Sequence, residues 1–231
     1  LDLTTGQAGS LVTWTLVGAV IGGFIFGTLS DKFGRVRVLT WTIVLFAIFT
    51  GLCALAQGYW DLLIYRTIAG IGLGGEFGIG MALAAEAWPA QHRAKATSYV
   101  AIGWQLGVLA AALLTPVLLP YIGWRGMFMV GIIPAFVAWF FRAKLHEPEI
   151  FVQSKETKEH SHTNSFKLLV KDVRTTKTSI GVAVLTSVQN FGYYGIMIWL
   201  PNFLSKQLGF SLTKSGLWTA VTVCGMMLGI W

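Results

Sequence analysis

The chain has 231 residues, of which 55% are apolar and only 12% charged, about half the charged fraction of a soluble domain. Its mean hydropathy is +0.65, and its net charge of +7 is dispersed along the flanks of apolar runs. That dispersal excludes a nucleic-acid-binding patch. The two cysteines, Cys53 and Cys224, each lie inside an apolar run, which fits neither a disulfide framework nor a zinc site.

Apolar runs of about 18 or more residues mark helices that cross a ~30 Å hydrocarbon core. Seven are predicted, over 9–29, 38–57, 62–88, 97–119, 122–141, 179–204 and 216–231. The chain starts at Leu1 and the last run is cut at Trp231, so it is expected to be part of a longer membrane protein.

The first two runs are joined by Gly27-Thr-Leu-Ser-Asp31-Lys-Phe-Gly34-Arg35-Val-Arg37, while Ser10–Phe26 and Val38–Tyr59 carry no charge. A turn with this much charge between two membrane-length runs belongs at a membrane surface. Lysines and arginines there orient the chain, but acids contribute little to orientation. Asp31 therefore marks the turn either as a topogenic loop or as a gating latch.

The third run carries Arg66, Glu76 and Glu86 ten residues apart, after Asp61. At 1.5 Å per residue they stand roughly 15 Å apart in depth. A charge at helix centre costs on the order of 3 kcal/mol. Glu76 is thus either held in a structural pair, protonated on a carbonyl, or working as a proton-titrating or substrate-contacting carboxyl. Arg66 keeps its proton; it either pairs with a buried acid or offers a forked donor to an anionic substrate. The same run reads Gly70-Ile-Gly72-Leu-Gly74-Gly75, a formal dinucleotide fingerprint without the preceding strand that such a site needs. Small residues four apart (Gly18/Gly22, Gly23/Gly27, Gly70/Gly74/Gly78, Gly103/Gly107) instead suit close helix packing.

Trp104 and Gln105 lie on the fourth run. A hydrophilic stretch, 142–178, follows the fifth; it holds His160 and His162, read as exposed loop histidines. Its end, with Phe166, Leu168, Leu169 and Val173 among Lys167, Lys171 and Arg174, has the spacing of an interfacial helix with a basic face. On the sixth run Gln189 and Tyr193, and Asn190 and Tyr194, are i,i+4 pairs sharing faces. These polar and aromatic groups are either interhelical glue or the lining of a substrate cavity. Thirteen lysines and arginines fall at 30–37, 89–96 and 142–178 against three (Arg125, Lys206, Lys214) on the opposite flank. This bias places those three segments in the cytoplasm of a multi-pass cell-membrane protein.

The hairpin pattern G-x-L-x-D-x-x-G-R-x-R resembles the signature loop of major facilitator superfamily transporters. Arg66-x-x-x-Gly70-x-Gly72-x-Gly74-Gly75-Glu76, Glu86-x-x-Pro89-x-x-x-Arg93, Trp124-Arg125 and Glu147-Pro148 resemble the sugar-porter and metabolite:proton symporter branches. The resemblance implies an all-α membrane protein of the major facilitator fold, with seven transmembrane helices of twelve visible in this chain. Residues 1–141 would be most of an N-terminal bundle (helices 2–6), 142–178 a cytoplasmic linker, and 179–231 the start of a C-terminal bundle (helices 7–8). It further implies that Asp31, Arg35, Glu86, Arg93 and Glu147 form a cytoplasmic salt-bridge gate.

Three departures bear on cargo. Ala94 follows Arg93, Leu145-His146-Glu147-Pro148-Glu149 stands after the fifth run, and Gln189-Asn190-Phe191-Gly192-Tyr193-Tyr194 replaces a paired-glutamine motif. The expectation is therefore a secondary transporter, not an enzyme, that moves a small organic acid or related metabolite with protons by alternating access. Glu76 would couple the proton. Arg66, Trp104, Gln105, Gln189, Asn190, Tyr193 and Tyr194 would contact substrate. The alternatives are a sugar or sialic-acid-type porter and, in another class, a seven-helix receptor. No cofactor, metal or nucleic acid is expected; the partners are the substrate, protons and the bilayer.

Overall fold

A computed structural model describes residues 3–142, 170–209 and 211–230. Among them the regular structure is helical: α1 (Thr5–Phe33), α2 (Arg35–Leu55), α3 (Tyr59–Ala87), a 3-10 turn at Ala90–His92, α4 (Arg93–Val130), α5 (Ile132–Arg142), α6 (Val173–Leu208) and α7 (Leu212–Ile230). Where they are described, the predicted runs lie within these helices to within two residues, except that 122–141 is divided between α4 and α5 at Gly131. Four stretches, Thr5–Phe33, Arg35–Leu55, Tyr59–Ala87 and Ala90–Phe140, are long and apolar enough to cross a membrane. The last spans 51 residues and as one straight rod would reach about 75 Å, more than twice a bilayer core. Gly123, with φ 63° inside α4, breaks it at the start of the fifth predicted run, in a conformation few other residues adopt.

Local chemistry sets the helix starts. Thr4 caps α1: its hydroxyl accepts from the Gln7 amide at 3.2 Å while Gln7 Oε1 accepts from the Thr4 amide at 3.0 Å, a reciprocal capping box. Asp61, in the first turn of α3, accepts from the amides of Gln57 and Gly58 at 3.2 and 3.3 Å. That placement satisfies orphan donors and matches the helix dipole.

The packing forms two units, the first holding the described residues of Leu1–Ile102 and Leu118–Ser154, the second those of Gly103–Val117 and Lys155–Trp231. In the first unit α2 supplies much of the core. Val38, Leu39 and Ile43 meet Ile79 of α3 and Ala135 of α5, and Cys53 and Ala56 meet Leu62. Large side chains such as Val20, Phe24 and Ile48 stay exposed, as lipid-facing positions require when no aqueous face has to be made.

The glycines of α1 and α3 let these two parallel helices touch backbone to backbone. A Cβ on Gly18 would run into the Thr67 carbonyl, on Gly22 into that of Ile71, on Gly70 into that of Thr15, and on Gly74 into that of Ala19. The contact is reciprocal along the register 15/70 and 19/74. Gly27, Gly78, Gly103 and Gly107 have the same spacing but nothing within 4 Å of an added Cβ. In the second unit, α7 packs on the middle of α4: a Cβ on Gly216 would lie 2.7 Å from the Ala112 carbonyl and 3.1 Å from Pro116.

Candidate functional site

A charged cluster sits at the hairpin end of the first unit, and Gly34 builds it. With φ 109° this single residue ends α1 and starts α2. The tight break puts Arg35 at the first position of α2, one turn from Asp31 at the end of α1. Each charge alone opposes its own helix dipole, a cation at an N-terminus and an acid near a C-terminus. Pairing removes both conflicts: Arg35 Nη1 meets Asp31 Oδ1 at 2.7 Å. On its other edge Arg35 donates Nε to Glu86 Oε2 at 3.3 Å and Nη2 to Glu86 Oε1 at 3.1 Å. The side chains of Arg35 and Glu86 are 18% and 25% exposed, so this two-pronged contact is partly shielded from solvent. A third donation, Nη1 to Ser30 Oγ at 2.7 Å, involves a residue that the sequence reading passed over. Its signal was position: a serine beside the hairpin acid, five residues before the arginine.

Of the five residues expected in the gate, three thus converge. Arg93, exposed at the start of α4, donates Nε to the Trp88 carbonyl at 3.3 Å rather than joining the cluster. Glu147, like the linker around it with His160 and His162, lies outside the described residues.

Higher on α3, Arg66 stacks its guanidinium over Phe128 at 5.6 Å. Among the described residues no carboxylate pairs with it. Glu76 is half-buried. The glycines before it are spent on packing: a Cβ on Gly72 would lie 2.8 Å from the Thr42 carbonyl, and one on Gly75 2.7 Å from Phe26. The dinucleotide-like string is therefore a helix-contact device. Arg125 donates Nη2 to the Ala56 carbonyl at 2.9 Å, closing the C-terminus of α2, and stacks on Trp124 at 4.2 Å.

The second unit brings several of the substrate candidates together. Trp104 Nε1 donates to the Tyr193 hydroxyl at 3.2 Å, linking α4 to α6. Tyr193 and Tyr194 meet edge to face at 5.3 Å. Gln105 is 6% exposed; its Nε2 donates to Met226 Sδ at 3.3 Å, and its Oε1 is buried without a partner among the described residues. A buried amide oxygen left open costs free energy until something donates to it. Gln189 and Asn190 are exposed, and Asn190 donates to the Thr186 carbonyl of its own helix at 3.0 Å. An indole and a phenol joined this way can bind a small polar molecule by hydrogen bonds while its apolar part stacks on rings. Among the described residues no group of three or more histidine, cysteine or acidic side chains is placed to hold a metal.

The profile of the Major Facilitator Superfamily matches residues 1–231, and the chain belongs to that family. With its apolar spans it is a multi-pass membrane protein, and the expectation of a transporter fold rather than an enzyme is met. Family membership removes the seven-helix receptor alternative. The chain is 79% identical over its whole length to a "Putative metabolite transport protein" of Haemophilus influenzae, covering 58% of it. It is 34% identical over 99% of its length to the "Cis,cis-muconate transport protein" of Acinetobacter baylyi, covering 56% of that protein. The chain thus spans a little over half the length of these relatives. Its fold is similar to that of the proton:xylose symporter XylE from E. coli, with a TM-score of 0.72 and 22% identity, over 99% of this chain and 60% of that one.

Proposed function

We propose that the whole protein is a secondary active transporter of the cell membrane that carries a small organic acid together with protons by alternating access. The observation that carries this reading is the Asp31–Arg35–Glu86 cluster at the end of a glycine-packed helix pair. A few partly exposed ion pairs, each worth about 0–1 kcal/mol at a surface, bias a two-state equilibrium without locking it. The cluster fits the cytoplasmic gate of such a transporter. On this reading residues 1–141 and 179–231 belong to two half-bundles, joined by 142–178. Segments 30–37, 89–96 and 142–178 face the cytoplasm.

The 34% identity to a protein named for cis,cis-muconate supports a carboxylate cargo. Arg66 is the candidate counter-charge, since stacking on Phe128 leaves the in-plane donors of a guanidinium for an anion. Trp104, Gln105 and Tyr193, with Gln189, Asn190 and Tyr194, are further candidate substrate contacts. Glu76 is the candidate proton carrier, because a carboxyl half-buried on a spanning helix is costly to keep charged without a task.

The test is uptake by the whole protein in liposomes, comparing cis,cis-muconate, a sialic acid and xylose with and without an inward proton gradient. Gradient-driven accumulation of the carboxylate is expected, and Glu76→Gln should abolish accumulation while sparing exchange. Accumulation that survives unchanged in Glu76→Gln removes that residue from the coupling. Xylose uptake without carboxylate uptake overturns the organic-acid assignment.

A further inference from the structure

We propose that Ser30 is the positioning residue of the hairpin gate, setting the plane of the Arg35 guanidinium for its two-pronged contact with Glu86. The inference rests on the gate reading above and names a residue that the signature pattern leaves unspecified. Ser30 is fully buried, at 0% exposure. Its hydroxyl proton is committed to the Gly27 carbonyl at 2.8 Å. With the proton directed there, the oxygen presents lone pairs to Arg35 Nη1, at 2.7 Å. The hydroxyl therefore acts toward the arginine as an acceptor of fixed orientation.

Nη1 donates to Ser30 Oγ and makes an ion pair with Asp31 Oδ1, each at 2.7 Å. Two anchors on one corner of a rigid, planar group fix the whole plane. The opposite edge, Nε and Nη2, then faces Glu86 at the longer distances of 3.3 and 3.1 Å. The guanidinium is held tightly by its own hairpin and leans more loosely on α3.

The anchors lie within five residues of Arg35, joined to it by helix ends and the single-residue turn. The Glu86 contact bridges 51 positions of chain. A change in the spacing of hairpin and α3 would therefore break the Glu86 contact first and leave the arginine aimed for its return. Without the Ser30 oxygen, Asp31 alone holds the corner, and the long side chain regains rotamers that compete with the paired geometry.

Hydrogen exchange of the Gly34–Val38 amides, followed on the whole protein in detergent, tests this without needing a substrate. Glu86→Gln and Arg35→Ala should each speed exchange there, reporting on the cluster itself. Ser30→Ala should speed it about tenfold, the effect of one hydrogen bond to a charged group, and Ser30→Cys, a poorer acceptor of similar size, by less. In the Arg35→Ala background, Ser30→Ala should add nothing, because a residue acting through Arg35 has nothing left to position. No acceleration in Ser30→Ala, or an equal acceleration whether or not Arg35 is present, overturns the role of Ser30 while leaving the gate intact. Unchanged exchange in both Arg35→Ala and Glu86→Gln overturns the gate reading and this inference with it.

Discussion

Arg35 and Glu86 meet through two donations, Nε–Oε2 at 3.3 Å and Nη2–Oε1 at 3.1 Å, across 51 positions of sequence. The pair ties the start of α2 to the last turn of α3. It also opposes the dipole mismatch at both helix ends, a cation at one N-terminus and an acid at one C-terminus. At the far end of the same bundle, Ser10 and Tyr59 share a hydrogen bond of 2.7 Å between hydroxyls. The parallel pair α1 and α3 is thus fastened at both ends, with the glycine contacts between.

Removing the charge of Glu86 should weaken the bundle measurably. Glu86→Gln is predicted to cost about 1 kcal/mol and Glu86→Ala about 2 kcal/mol, the range for hydrogen bonds to charged groups. Thermal unfolding of the detergent-solubilised protein at low and high salt checks it. A partly shielded pair should keep most of the difference at high salt, and a difference that vanishes with salt would place the pair at the open surface.

The α1–α3 contact makes a sharper forecast, because its clashes are with backbone. Gly74→Ala drives a methyl into the Ala19 carbonyl, and overpacking of this kind costs about 1–3 kcal/mol. Gly27→Ala and Gly103→Ala meet open space and should leave the unfolding midpoint unchanged or slightly raised. Equal effects at all three positions would contradict the register described for α1 and α3.

Trp104 and Tyr193 should act as a unit in substrate binding. Trp104→Phe and Tyr193→Phe each remove the 3.2 Å hydrogen bond, worth about 1 kcal/mol, which corresponds to roughly a fivefold rise in KM. The double variant should be no worse than either single one. Uptake kinetics decide the matter, and fully additive losses would mean that each residue meets the substrate separately.

Outside the membrane, Asp172 gives α6 a pH-dependent start. Its carboxylate accepts from the Thr175 amide at 2.8 Å and the Thr175 hydroxyl at 2.9 Å, and these bonds hold its pKa below the ordinary value. The folded value lies below the unfolded value of about 3.9. The cap's contribution is therefore complete above that pH and is lost as pH falls through the depressed folded value. Exchange of the Thr175 amide, corrected for its intrinsic rate, should accelerate over that acid range in the parent protein. Asp172→Asn should flatten the dependence, and an unchanged acid profile in that variant would assign the titration to another group.

Much of this protein was legible residue by residue. The apolar runs predicted the helices, because covering a membrane-spanning backbone depends on local composition alone. The hairpin pattern around Asp31, Gly34 and Arg35 pointed to the family, which the profile match over residues 1–231 establishes. The Gly70–Gly75 string was already readable as packing, since no strand precedes it.

Which small residues touch was not readable. Gly18, Gly22, Gly70 and Gly74 meet carbonyls while Gly103 and Gly107, with the same spacing, face open space; the difference lies in the register between helices, to which spacing along one helix is blind. Interhelical register likewise brought Glu86 to Arg35, while local geometry after α3 turned Arg93 to the Trp88 carbonyl. Ser30 became visible only when the bend at Gly34 folded the arginine back over it. Composition decided that these helices cross a membrane, because burial of apolar surface is additive along the chain. Tertiary structure decided which charges meet, because a hydrogen bond depends on tenths of an ångström between groups that the sequence holds far apart.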